Sequence, residues 1–438
     1  MEEKWFRVLL YLPAQGASES EATIIEWQVA EGACFEKGDV LGQIDSVKSV
    51  YDFHAPCAGR VVRVLHPDGD TLPYSEAVLE IETIDASMKD WLPPAAASGG
   101  EAQSYAPLSA HSGGHSQQEV VILGVGGYLP ERVVTNAELI VNFPEITEQY
   151  VYQVTGIRQR RWAAEQEKPS DMAYAAALEA IRKSNIAIKD IDAIILATTT
   201  PDVAMPSTAC ILQDRLSLGT IPAFDINAAC SGWLYAVSLA QGMILSGIAK
   251  HVLTVGVDMQ SRLLDKSDRG TCFIFGDGAG AAIVSAGRSG HAIRRVILGS
   301  DVRGLHMARR EEPGYFVANG APNIDPWIRI DGPALFRFAT ESFTAVIREV
   351  IAKAGWKPEE PRWIIPHQAN SRILKAAAKR SGVDFERFFL NIERVGNTSS
   401  ASIPLAIIEA EAGLQQGDKL ILCSMGAGAT IAAIAVEW

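Results

Sequence analysis

The sequence predicts a multidomain chain: a small all-β flattened barrel, a flexible linker, and a larger α/β layered domain carrying an internal duplication. Three observations predict it. Residues 1–85 alternate apolar and polar with period two. Residues 86–118 lose all periodicity, and beyond 119 strand-like apolar runs alternate with amphipathic helical stretches. At 438 residues, 48% apolar and 21% charged, the chain is long enough for two or three globular cores.

In the first unit, FRVLLYLP, ATIIEWQVA, DVLGQID, GRVVRVLH and AVLEIET are separated by Gly, Asp and Pro turns. Residues 24–45 and 61–82 repeat one order: alternating strand, Gly-containing turn, apolar strand ending in an acid. Lys48 falls in the joint between the repeats. Asp45 stands three places before it and the Pro56-Cys57-Ala58-Gly59 turn follows. Two half-barrels related by a pseudo-twofold predict an exposed hairpin tip there. His54 reads as a surface or turn residue. Residues 1–84 hold six Lys/Arg against fifteen Asp/Glu, a net of −9, so most of the chain's −13 sits in this unit. Such a surface solubilises, and it suits a small acidic carrier that docks on basic patches.

Residues 86–118, rich in Ala, Ser, Gly, Pro and Gln, read as a linker. Its r.m.s. span is about 30 Å and its full reach about 100 Å, which holds the first unit near its neighbour at roughly millimolar effective concentration.

Several classes are excluded by composition. No apolar run approaches the roughly 20 residues of a membrane span. MEEKWFRVLLYLP begins acidic, without the basic region of a signal peptide, which predicts a cytoplasmic location. The six cysteines lack CxxC spacing, so neither a metal site nor a disulfide framework is expected. The net negative charge argues against nucleic acid.

Three segments of the larger unit carry chemistry. In FDINAACSGWLYAVSLA, Cys230 stands between a polar strand end and an amphipathic helix, where the helix dipole favours thiolate. Ala228, Ala229, Ser231 and Gly232 leave room for a substrate. Cys210, Cys272 and Cys423 read as buried and inert. In WIIPHQANSRILKAAAKRSG, His367 ends an apolar strand; in ERVGNTSSASIPLAIIEA, Asn397 precedes a helix. All three sit where strands give way to helices, the place such folds build sites. GDGAGAA at 276–282 lacks the GxGxxG spacing of a dinucleotide site.

The first unit resembles the biotinyl/lipoyl carrier family through VAEGACFEKGDVLGQID, the lysine segment DSVKS and APCAGRV. The resemblance implies enzymatic modification of Lys48. The biotin type has methionine on both sides of its lysine, where Val47 and Ser49 stand here, so lipoate is the leading expectation, biotin the second and an unmodified docking domain the third. Asp45 replaces the usual Glu.

Residues 119–438 resemble the β-ketoacyl-ACP synthase III family of the thiolase-like, five-layer duplicated fold. The resemblance rests on GVGGYLPERVVTN, TGIRQR, PSTAC, DRGTCFIFGDGAGAA, PHQAN and GNTSSASIP. It implies an acyltransferase with a Cys230-His367-Asn397 site and oxyanion donors at the backbone of Cys230 and Ala427. GDGAGAA becomes an interior turn. Substrates are phosphopantetheine thioesters, with acyl carrier protein and acyl-CoA as partners, and the chain is expected to form a homodimer. The family's tryptophan and arginine for the adenine end of coenzyme A are Tyr150 and Val154 here, whereas Arg269 is kept. Met205 replaces an aromatic of the acyl pocket. Arg337, Arg372, Lys375, Lys379 and Arg380 match the carrier-protein docking surface, and Arg372, Lys375 and Lys379 share one helix face. The two resemblances together suggest that an acyl-lipoyl group on Lys48, loaded by a 2-oxo acid dehydrogenase-type enzyme, delivers the starter to Cys230.

Overall fold

Among the described residues, period-two alternation in the first unit becomes eight strands: β1 (Phe6–Tyr11), β2 (Glu21–Trp27), β3 (Cys34–Phe35), β4 (Val40–Ser46), β5 (Val50–His54), β6 (Gly59–Val64), β7 (Thr71–Pro73) and β8 (Ala77–Thr83). The computed structural model describes residues 5–13, 21–46, 50–74, 76–89, 119–311 and 325–438. These form two compact units, one within residues 1–114 and one within 115–438.

The eight strands make two four-stranded sheets, ordered β1-β8-β6-β3 and β5-β4-β2-β7. Replacing β1, β8, β6 and β3 by β5, β4, β2 and β7 turns one order into the other, which is the pseudo-twofold of the sequence repeat. Inward-pointing Leu10, Ile24, Leu41, Ile44, Val61, Leu79 and Ile81 are at most 1% exposed. Each contributes about 1.5–3 kcal/mol of burial. Strands β4 and β5 pair antiparallel as far as Asp45↔Val50. Lys48, between them, lies outside the described residues. His54 is the last residue of β5 and exposed, with Nδ1 3.0 Å from the Gly38 carbonyl. Met88 is buried in this unit's core, so packing continues past residue 85 into the expected linker. Residues 90–118 lie outside the described residues.

In the second unit nine strands form one sheet, in the order Ala223–Ile226, Ala193–Ala197, His251–Met259, Asp277–Ala286, Val120–Tyr128, His291–Ser300, Thr430–Glu437, Lys419–Gly426 and Trp363–Pro366. It is two sheets joined at a narrow seam, where His291 and Ala292 pair with Ile122 and Val121. From Ala193–Ala197 to Val120–Tyr128 the pairing runs parallel, antiparallel, antiparallel. From Trp363–Pro366 to His291–Ser300 it runs the same way. That identity of pattern is the internal duplication. GDGAGAA was expected as an interior turn, but Asp277–Ala286 is a buried strand in the middle of the first half; its small side chains leave room for the helices on either face.

Successive residues on each strand face different layers. Ile194 and Leu196 pack on an outer layer containing helices Pro169–Ser184 and Thr208–Arg215. Ile195 packs inward with helices Gly232–Leu245 and Ser402–Ala410, which also cover Leu422, Ile434 and Val436 of the second half. Ile421, Ala433 and Ala435 face helices Gly332–Lys353 and Ser371–Ser381. The result is five layers, with one central helix from each half. No helix among the described residues is long and apolar enough to cross a membrane.

Candidate active site

Both central helices begin from the same local structure. In the first half, Asn227 Oδ1 accepts the Ala229 N–H at 3.1 Å, Ala229 has φ +46°, and helix Gly232–Leu245 follows. In the second, Asn397 Oδ1 accepts the Ser399 N–H at 2.8 Å, Ser399 has φ +51°, and helix Ser402–Ala410 follows. A short amide side chain closing on its own backbone sets each turn. The first half places Cys230 after its left-handed residue; the second places Ser400.

The turns meet. Ser399 Oγ donates to Cys230 Sγ across 3.6 Å. The Ser399 N–H holds Asn397 Oδ1. Because that N–H can only donate, the Asn397 oxygen is fixed on its side and the amide NH₂ is left as a donor. His367 leaves the end of strand Trp363–Pro366 with its N–H on the Cys423 carbonyl at 2.7 Å. Its Nδ1 is 2.7 Å from Ser402 Oγ. The Gln368 N–H points at the same hydroxyl from 3.5 Å, leaving the hydroxyl proton for Nδ1 and the imidazole proton on Nε2.

A buried polar frame holds this junction. Asp258 is wholly buried and accepts from Thr199 N–H, Thr199 Oγ1, Ser400 N–H and Ser400 Oγ at 2.7–3.0 Å. Beneath the cysteine, Ser424 Oγ donates to the Cys230 carbonyl at 3.0 Å and Thr430 Oγ1 to that of Ala228 at 2.7 Å. Gly426 is required by close approach: a Cβ there would lie 2.8 Å from the Cys230 nitrogen and 3.0 Å from the Ala228 oxygen. Gly256 does the same for the second turn, where a Cβ would lie 2.6 Å from the Ser400 oxygen. None of these supports is marked in the sequence by a chemical motif. The signal that could have found them is a pair of small residues near the ends of two equivalent strands.

Burial sets the electrostatics of the site. Burial pushes the Cys230 thiol up to about 12; the Ser399 hydrogen bond pulls it down and the Asp258 charge adds to the rise. Burial therefore outweighs the helix dipole at this thiol. Burial lowers His367 to about 3, opposed by its bond to the Ser399 backbone. His367 is therefore a neutral donor at physiological pH.

The other expected residues are spread around this centre. Ala427 follows directly on Gly426, partly buried. Tyr150 is exposed on helix Glu148–Thr155, and the Val154 carbonyl of that helix accepts from Asn370 Nδ2 at 2.9 Å. Asn370 Oδ1 also caps helix Ser371–Ser381, joining the Tyr150 helix to the basic one. Arg269 is exposed, 4.0 Å from Glu145. Arg337, Arg372, Lys375, Lys379 and Arg380 are all exposed, and Arg337 and Arg372 border one surface depression beside Phe336. Met205 is 84% exposed, so one chain does not enclose it in a pocket. Cys272 and Cys423 are buried as expected, whereas Cys210 is exposed, because it faces outward on helix Thr208–Arg215.

Known proteins match both units. Residues 224–302 and 351–438 fit the models of 3-oxoacyl-[acyl-carrier-protein] synthase III and its C-terminal region, and residues 9–81 fit that of the biotin-requiring enzymes. The β-ketoacyl-[acyl-carrier-protein] synthase III of Rhodobacter capsulatus is 42% identical over 323 residues, 73% of this chain and 98% of that protein. The crystal structure of the Aquifex aeolicus 3-oxoacyl-[acyl-carrier-protein] synthase III superposes with a TM-score of 0.68 at 40% identity, covering 73% of this chain and all of that one. The synthase III structure from Thermus thermophilus gives the same TM-score and identity, over 73% of this chain and 99% of its own. With relatives at this identity matched over nearly their whole length, the chain belongs to the β-ketoacyl-[acyl-carrier-protein] synthase III family.

Proposed function

We propose that the protein is an acyltransferase that condenses an acyl starter with malonyl-acyl carrier protein to give a β-ketoacyl thioester. Cys230 is the nucleophile. Its sulfur bonds to the starter carbonyl, the donor's C–S bond breaks, and the donor thiol leaves with the proton that Cys230 gave up. The N–H groups of Cys230 and Ala427 hold the oxyanion. A malonyl thioester then loses CO₂, and the electrons of the broken C–C bond form an enolate whose oxygen is held by His367 and Asn397. The carbanion bonds to the acyl carbon, and Cys230 departs as thiolate. Two neutral donors suit an enolate, and burial keeps His367 neutral. The observation that carries this reading is Ser399, which ties the two turns together: its hydroxyl meets Cys230 and its N–H holds Asn397.

The starter donor is the finer part of the proposal. In sequence Lys48 lies between two strands that pair antiparallel as far as Asp45↔Val50, which supports a modifiable lysine, and Val47 and Ser49 beside it favour lipoate over biotin. Lipoate bound there supplies a thiol that carries acyl groups as thioesters. Coenzyme A is the weaker donor in this reading: Tyr150 and Val154 replace its expected partners, and Arg269 already faces Glu145. The exposed basic residues Arg337, Arg372, Lys375, Lys379 and Arg380 receive the acyl carrier protein. A second copy of the chain covers the free edge strand Ala223–Ile226 and the exposed Phe224 and Met205, which would close the acyl pocket.

The test is a mass measurement on protein from its own host, followed by priming assays of wild type and Lys48→Ala. A lipoyl adduct on the Lys48 peptide is expected, with condensation from its in-vivo starter lost in the variant. An unmodified Lys48, with equal priming from acetyl-CoA in both proteins, overturns the lipoyl donor and leaves a synthase with a docking module. Failure to condense any acyl thioester with malonyl-acyl carrier protein overturns the whole reading.

A further inference from the structure

The pseudo-equivalence of the two turns isolates one side chain with no counterpart. Ala229 and Ser399 hold the same place, each with positive φ and each bonded through N–H to an Asn two residues earlier. Only Ser399 carries a hydroxyl, and that hydroxyl donates to Cys230 Sγ across 3.6 Å. Positive φ is costly for residues with a Cβ and easy for glycine. A glycine at 399 would keep the turn and the Asn397 bond. What it would lose is the oxygen on the sulfur. Ser399 is itself 1% exposed, so this oxygen acts where water does not compete.

We infer that the Ser399 hydroxyl is a catalytic residue, the hydrogen-bond donor that stabilises the Cys230 thiolate before acyl transfer and again as the product departs. This rests on Cys230 being the nucleophile. In the first step Cys230 S–H loses its proton, the S–acyl bond forms, the donor's C–S bond breaks, and the donor thiol carries away one proton. Ser399 keeps its own proton throughout. The same bond opposes the burial that raises the thiol and, with the Cys230 backbone N–H and the helix N-terminus behind it, favours charge on sulfur.

The test compares Ser399→Gly and Ser399→Ala with wild type by iodoacetamide alkylation of Cys230 across pH 6–10, read by peptide mass, alongside thermal melting. Both variants keep the N–H that orients Asn397. A hydrogen bond to a charged group shifts the thiol by about one pH unit. Because a more basic thiolate is also more nucleophilic, the net slowing at a given pH is about threefold, with the whole profile moved upward. Ser399→Gly should melt at or above wild type, since glycine suits the turn, which separates the chemical role from a structural one. Wild-type rates and profile in both variants would overturn the inference, as would slowing that tracks a lower melting temperature in both. If alkylation slows as expected but starter thioesters never acylate Cys230, the hydrogen bond stands and the condensation reading fails.

Discussion

The two halves of the large unit share a sheet order, a turn and a central helix, yet they contribute opposite things to the site. The first half brings the sulfur, at Cys230, on a turn whose left-handed residue is alanine. The second brings the donors: Asn397 within its turn, His367 at the end of a strand, and the Ser399 hydroxyl. Chemistry arises where the copies differ, and stability where they agree. Gly256 and Gly426 both make room for the opposing turn. The difference also explains the site's electrostatics. Burial by two packed halves keeps His367 neutral and holds the thiol high, so hydrogen bonds and peptide dipoles must favour the charged sulfur.

Removing what only the first half supplies should have the largest effect. Cys230→Ala is expected to abolish the acyl-enzyme and cut condensation by at least about 10³-fold, measured with an acyl thioester and malonyl-acyl carrier protein. Next comes the second half's donor. Asn397→Asp keeps an oxygen for the Ser399 N–H but replaces the outward NH₂ by an acceptor. Condensation should fall roughly 10²–10³-fold while acylation of Cys230 persists, a split that quench-flow with mass detection would resolve. Third is the link between the halves. Asp258→Asn puts an NH₂ against the N–H and O–H donors of either Thr199 or Ser400, and should destabilise the large unit by about 3 kcal/mol in urea titration. The smallest effect is on pH dependence. His367 has a folded value near 3, below the unfolded 6.5. Between these values the unfolded chain binds the extra proton, so stability falls as pH drops through this window, by on the order of 1 kcal/mol per unit. His367→Asn should flatten that acid limb between pH 6 and 4; an unchanged slope would show that burial of this imidazole is not its cause.

Much of this was legible in the sequence because it was periodic or sat at a strand-to-helix junction. The repeat in residues 24–82 announced the barrel's twofold, and Cys230, His367 and Asn397 were visible as residues where strands end. The supports were not. Asp258 and Ser400 are 142 residues apart, and Ser231 and Ser424 are 193 apart. Such contacts exist only once the halves close on each other. Serine in a Ser/Thr-rich stretch such as Thr398-Ser399-Ser400 gives no hint of which hydroxyl meets a sulfur. The effect of burial on the Cys230 thiol was missed for the same reason, since the dipole is local and desolvation is not. The place of Met205 in the sequence points to the acyl pocket, but whether a side chain is enclosed depends on what covers it, which the sequence does not state.

The most direct test of the account is to mix the intact protein with an acyl thioester in the absence of any malonyl thioester and sequence the acylated peptide by mass spectrometry. The account predicts a single stoichiometric acyl group on Cys230, discharged as β-ketoacyl product when malonyl-acyl carrier protein is added. Acylation at another residue, or condensation that proceeds with Cys230 never acylated, would contradict it.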